Sequence, residues 1–185
     1  MRSDASGKTG PRPVNPAYLE RAALHYLERY ASTAENLRRV LARKAKKRLG
    51  ELGSLDDGIL ADIAEVVARI VRSGLVDDRS FAEMKAGALM GRGTSTRAIR
   101  MRLKVKGVPD EAAAAALAAH EPDDLALARR YAERKRLGPF RPRPDPARRD
   151  RDLAALCRAG FPYRIAAAVL DEAAASEDDP PQLTA

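Results

Sequence analysis

Leu19, Ala23, Leu24 and Leu27 recur at three- and four-residue steps, the spacing that gathers apolar side chains on one face of a helix. The pattern predicts a helix from about Ala17 to Ala31. Ser32 interrupts it, and Ser32 followed by Glu35 has the form of a capping box, in which the hydroxyl accepts from an orphan amide and the glutamate reaches back. A second helix then carries Leu37, Val40, Leu41, Ala45 and Leu49. The stretch Gly50 to Gly58, with three glycines and two aspartates, reads as a loop. Ile59, Ile63, Val66, Val67 and Ile70 mark a third helix, ending at Ser73-Gly74. These three helices form one predicted unit, residues 17–74.

The pattern then restarts. Asp77-Asp78 opens a helix with Phe81, Ala82, Met84, Ala88 and Leu89 on its apolar face, and Gly91 to Gly93 break it. Thr94 or Ser95 caps the next helix, which carries Ile99 and Leu103 and stops at Gly107-Val108-Pro109. There glycine takes the left-handed position and proline opens a further helix. That alanine-rich helix, running to His120, completes a second unit, residues 75–120. The third, residues 121–175, begins at Pro122-Asp123-Asp124, runs through Leu125, Ala128, Tyr131 and Ala132, and halts at Gly138-Pro139. Pro139 to Pro146 holds four prolines and reads as an extended loop before helices resume with Leu153, Leu156 and Cys157. Gly160-Phe161-Pro162 repeats the earlier punctuation: Leu103 and Leu156, Gly107 and Gly160, Pro109 and Pro162, and Leu117 and Leu170 are each 53 residues apart. Residues 1–16 read as a disordered tail and 176–185 as a flexible acidic one.

Composition agrees with helices. The chain is rich in Ala, Arg and Leu and has eight aromatics and no Trp, so almost no strand is expected. No apolar run is long enough to cross a bilayer and no signal-peptide core is present, which predicts a cytoplasmic protein without a membrane partner. Cys157, the one cysteine, sits at core-like spacing beside Leu153 and Leu156 and reads as a small buried hydrophobe.

Charge changes the picture more. The net +8 conceals an alternation: Thr33 to Gly50 carries +6, Glu51 to Glu83 −5, Met84 to Gly107 +7, Val108 to Ala128 −5, Arg129 to Arg164 +8 and Ile165 to Ala185 −5. The basic blocks fall mainly on the middle helices. Arg39, Arg43 and Lys46 lie opposite the face of Leu37, Leu41 and Ala45, with Lys47 beside them, and Arg97, Arg100 and Lys104 share a face of the next. Arg130, Arg134, Lys135, Arg158 and Arg164 extend the set into the third unit. All twelve are candidate contacts to a polyanion or to a charged protein surface.

Chemistry is sparse. Ser6-Gly7-Lys8-Thr9 resembles the end of a phosphate-binding loop, but Arg2 stands where its first glycine belongs and no strand precedes it. His25 and His120 are isolated, no metal-ligand spacing exists, and Asp56-Asp57 and Asp77-Asp78 sit where helix caps are needed. The sequence therefore predicts no catalytic residue, no cofactor, no metal and no small-molecule substrate. A helical repeat protein that binds nucleic acid without sequence preference is one reading, and an enzyme with a dispersed site is a weaker one.

Three ordered segments add a resemblance. Val76-Asp77-Asp78-Arg79-Ser80-Phe81-Ala82, then Arg97-Ala98-Ile99 leading to Leu103-Lys104-Val105-Lys106-Gly107-Val108, then Leu156-Cys157-Arg158-Ala159-Gly160-Phe161-Pro162-Tyr163-Arg164-Ile165 are similar to the motifs of the RecX family of recombination regulators. The resemblance implies an all-α, elongated, curved array of three tandem three-helix repeats with no sheet. It also implies a non-enzymatic monomer that binds the RecA-DNA filament, restrains RecA's ATP hydrolysis and strand exchange, and contacts single- and double-stranded DNA without sequence specificity. The first unit departs from the motif, with Lys44-Ala45-Lys46-Lys47-Arg48-Leu49-Gly50 in place of the usual lysine-glycine turn.

Overall fold

The computed structural model describes residues 13–50, 53–143 and 145–176. The predicted tails therefore lie largely outside the described residues, although Asn15 caps and Pro16 opens the first helix and Ser176 closes the last. Ser6 to Thr9 and part of the Gly50 to Gly58 loop also lie outside them. The described residues form helices α1 (Pro16–Leu27), α2 (Ala34–Leu49), α3 (Asp57–Arg72), α4 (Asp78–Met90), α5 (Thr96–Val105), α6 (Asp110–Ala118), α7 (Asp124–Lys135), α8 (Arg149–Arg158) and α9 (Tyr163–Ser176), with no strand among them. This is an all-α helical repeat fold. The chain divides into two compact units, Met1–Phe81 and Ala82–Ala185.

In the first unit α1, α2 and α3 enclose Leu19, Ala23, Leu37, Leu41, Ala45, Ile63, Val66, Val67 and Ile70. Those are the periodic positions of the sequence. Each helix opens on a side-chain cap that satisfies an orphan amide: Asn15 accepts from Tyr18 N at 2.9 Å, Thr33 from Asn36 N at 3.1 Å and Asp56 from Ile59 N at 2.8 Å. The predicted cap at Ser32 is therefore one residue early. Ser32 Oγ instead accepts from Asn36 Nδ2 at 2.8 Å, and Glu35 turns outward to Arg38 and Arg39 rather than back to the cap. Helix α1 also stops sooner than predicted, at Leu27.

Asp77 and Asp78 divide the capping work. Asp77 accepts from Arg79 N, Ser80 N and Ser80 Oγ, and these bonds, the hydroxyl's first, hold its carboxyl below the usual aspartate range. Asp78 Oδ1 accepts from Ala34 N at 2.8 Å, satisfying the first amide of α2 from a different helix. The second unit repeats the device. Asp123 accepts from Leu125 N at 2.8 Å within its own helix, while Asp124 takes Thr96 N at 3.1 Å and Thr96 Oγ1 at 2.9 Å at the start of α5.

The core of the second unit is built on Ala86, Leu89, Ile99, Leu103, Ala116, Leu117, Ala128, Ala132, Leu156, Phe161, Ala166 and Val169. Small residues let helices approach closely: a Cβ on Gly93 would stand 2.6 Å from Tyr131 N and 2.8 Å from Leu127 O, so α7 packs directly against this glycine. The turns after α5 and α8 match the predicted repeat. Val108 N donates to Leu103 O at 3.1 Å and Phe161 N to Leu156 O at 3.2 Å, around Gly107 at φ 77° and Gly160 at φ 98°. Ser95 opens α5, accepting from Ala98 N at 3.3 Å and donating to Ala159 O at 2.8 Å, so the start of α5 meets the end of α8.

The proline segment differs from the extended loop predicted for it. Helix α7 ends at Lys135 on a left-handed Arg136 rather than at Gly138, and short 3₁₀ turns form at Gly138–Phe140 and Pro146–Arg148. Asp152, buried in α8, fixes the segment: its Oδ2 accepts from Gly138 N at 2.8 Å and from Arg141 Nε at 3.0 Å. Burial pushes this carboxyl up, but the Arg141 and Gly138 hydrogen bonds outweigh it and hold the group below its ordinary value.

Candidate functional site

All twelve basic residues singled out in the sequence are exposed. On α2, Leu37, Leu41 and Ala45 are fully buried and turn Arg39, Arg43 and Lys46 outward, as helical geometry requires. Arg39 is tied down, with Nε 2.9 Å from Glu35 Oε1. Glu35 also pairs with Arg38. Although partial burial pushes the Glu35 carboxyl up, the two arginines hold it below the usual glutamate range. Arg43, Lys46 and Lys47 form no ion pair among the described residues.

On α5, Arg97, Arg100 and Lys104 are exposed, form no ion pair among the described residues, and have no acidic neighbour on the helix. Met101 stands among them, two residues from both Ile99 and Leu103, which places it on the side opposite the core.

The third basic block does not sit on its middle helix in the way the first two do. Arg130 and Arg134 project from α7, where Arg130 Nη1 donates to Met90 O at 3.3 Å and the Arg134 guanidinium lies 5.4 Å from the Tyr131 ring centroid. Lys135 closes the same helix. Arg158 is in the last turn of α8 and Arg164 in the first turn of α9, either side of the Gly160 turn. A cation in a first helical turn opposes the helix dipole, so Arg164 is not placed there for helix stability. Two arginines at the opening of α8 are engaged internally: Arg149 grips Asp171 at 2.8 and 2.9 Å, and Arg148, just before the helix, has its Nε 3.2 Å from Asp145.

Sequence reasoning missed two features of this surface. Tyr30 and Tyr163 are exposed aromatics, at 57% and 66%, and Met101 and Val105 are exposed on α5 at 60% and 65%. Met101 was readable from its spacing to Ile99 and Leu103; the tyrosines sit outside the periodic core and carry no such signal. Other groups have structural partners. His25 Nδ1 is 3.5 Å from Glu28, His120 Nε2 is 3.2 Å from Glu83 O, and the Cys157 thiol is free and half-buried rather than fully buried. Among the described residues no group of three or more His, Cys, Asp or Glu is placed to hold a metal, and no helix is long and apolar enough to cross a membrane.

Short helices packed on small residues, with exposed cations on α2, α5 and α7, define a basic all-α helical-repeat protein. Residues 77–117 match the family model described as RecX, second three-helix domain. Over 169 residues the chain is 47% identical to the regulatory protein RecX of Myxococcus xanthus, covering 89% of this chain and 90% of that one. It is 30% identical to the regulatory protein RecX of Agrobacterium fabrum, over 83% of this chain and 82% of the relative. The chain belongs to the RecX family. The crystal structure of RecX from Lactobacillus salivarius shares its fold with a TM-score of 0.62 at 19% identity, over 85% of this chain and 95% of that one.

Proposed function

We propose that this protein binds the RecA-DNA filament as a monomer, in the cytoplasm and without a cofactor, and restrains RecA's ATP hydrolysis and strand exchange. The observation that carries the reading is the alternation of basic and acidic segments together with the outward placement of the cations. Exposed Arg43, Lys46 and Lys47 on α2 and Arg97, Arg100 and Lys104 on α5 suit phosphate or carboxylate partners, while the −5 blocks between them would repel bare DNA. A filament of protein and DNA offers surfaces for both signs. Titrating the protein into RecA hydrolysing ATP on single-stranded DNA is the test: hydrolysis falls with added protein, and unchanged hydrolysis with folded protein refutes the reading. Changing Arg39, Arg43 and Lys46 together to Glu weakens co-sedimentation with the filament.

Tyr30 and Tyr163 favour a second reading, a stand-alone binder of single-stranded nucleic acid, because exposed rings near arginines offer stacking surfaces. Binding to bare DNA falls steeply with salt under both readings. Only a filament modulator binds RecA-coated DNA more tightly than bare DNA.

A further inference from the structure

Helices α2 and α5 carry exposed cations that form no ion pair among the described residues, and their outward faces differ in one respect. The outward side of α2 presents Arg39, Arg43 and Lys46 and no large exposed apolar residue. The outward side of α5 presents Arg97, Met101 and Val105 at four-residue steps, with Arg100 and Lys104 along one edge. Among the described residues Met101 and Val105 are the only exposed large apolar pair one turn apart on a single helix. Single exposed apolar side chains are ordinary surface, whereas an adjacent pair at the summit of a helix face is not.

A face that lies on phosphates needs cations and hydrogen-bond donors, and methionine and valine supply neither. The centre of a protein interface, by contrast, is enriched in methionine and arginine and edged by polar groups. We infer that the outward face of α5 docks a protein surface, an apolar patch edged by carboxylates, and does not serve as a phosphate-binding face. Charge complementarity fixes the edge: Arg97, Arg100, Arg102 and Lys104 have no acidic residue among them on α5, so the occupant's rim is acidic. This rests on the reading above and names which part of the filament α5 meets, namely its protein component. The two apolar side chains are an anchor within a larger contact, which their small size requires.

The test uses the full chain with Met101→Lys and Val105→Lys combined, and separately with both changed to Ser. Both positions are exposed, and circular dichroism establishes that each variant folds. Three probes are compared: RecA filaments on single-stranded DNA, the bare oligonucleotide, and vesicles of phosphatidylcholine with phosphatidylserine. The expected result is a loss of about tenfold or more in filament affinity for both variants, with bare-DNA affinity unchanged for the Ser pair and unchanged or tighter for the Lys pair. If the Lys pair tightens filament and bare-DNA binding alike, the face reads phosphate and the inference falls. Unchanged filament binding by both variants also overturns it while leaving the proposed function standing. Vesicle binding by the wild type that both variants lose would assign the face to a membrane instead. A wild type with no preference for filaments over bare DNA removes the proposed function and this inference together.

Discussion

Helices α5 and α8 stand 53 residues apart in register and close on the same turn, with Leu103 and Leu156 fully buried and Val108 and Phe161 folded back over them. Their openings share nothing. Ser95 caps α5 and Asp124 covers its first amide, whereas α8 starts from Arg148 in helical conformation with no side-chain cap. Where α5 buries Ile99, α8 buries Asp152. The cations differ in the same sense: Arg97, Arg100 and Lys104 of α5 have no ion-pair partner among the described residues, while Arg149 at the start of α8 is bound to Asp171. The repeat thus keeps its geometry where the chain must turn and reassigns its charges elsewhere. On α8 the charges of Arg149 and Asp152 hold the fold, and on α5 the cations remain available to a partner.

Under that division, removing the α8 carboxylate has the largest effect on stability. Asp152→Ala leaves Arg141 and Gly138 N without an acceptor and lowers the free energy of unfolding by about 3 kcal/mol, the low end for a broken buried pair because a fifth of the Arg141 side chain is exposed. Urea unfolding measures it. Asp152 titrates below its ordinary value in the fold, so its contribution is fully present above the unfolded-state pKa of about 3.9 and is lost as pH falls through the folded value. The gap between wild type and Asp152→Asn accordingly narrows below about pH 4. On α5 the expectation inverts: Arg97, Arg100 and Lys104 changed together to Glu lower filament affinity about thirtyfold, about 2 kcal/mol, at unchanged urea midpoint. A shifted midpoint would erase the distinction between the two helices.

The shared closing turn supplies a smaller effect. Gly160→Ala forces a Cβ at φ 98° to 2.6 Å from Ser95 Oγ, and costs about 1.5 kcal/mol. Smallest is the cap that α5 has and α8 lacks: Asp124→Ala costs about 1 kcal/mol, and Thr96→Val, which removes one of the two bonds, costs less. A larger loss for Asp124 than for Asp152 would reverse the comparison.

Helices, most of their apolar faces and the matched turns were legible because each depends on local spacing: Ile99 and Leu103 are a turn apart, and Gly107 and Gly160 take positive φ where a helix must end, whereas Leu24 and Met84, read as face residues, are exposed at 40% and 56%. The outward direction of Arg43 or Lys104 follows from the same periodicity. Asp152 was not legible, since in sequence it is one acid within a basic block and its burial depends on Arg141 from the proline segment. Asp78 and Asp124 were visible as helix starts, but their reach to Ala34 and Thr96 is set by how helices pack. The choice of Thr33 over Ser32 turns on a single residue of chain direction, which adjacent hydroxyls do not encode.

Because Asp78 and Asp124 each sit in the first turn of one helix and hold the first amide of another, fraying is shared. Loss of the opening turn of α7 uncovers Thr96 N of α5, and loss of that of α4 uncovers Ala34 N of α2. Amide hydrogen exchange at Thr96 is therefore limited by opening of α7 as well as of α5. Helices far apart in sequence become neighbours in cooperativity, as stacked repeats do when coupling passes from each element to the next.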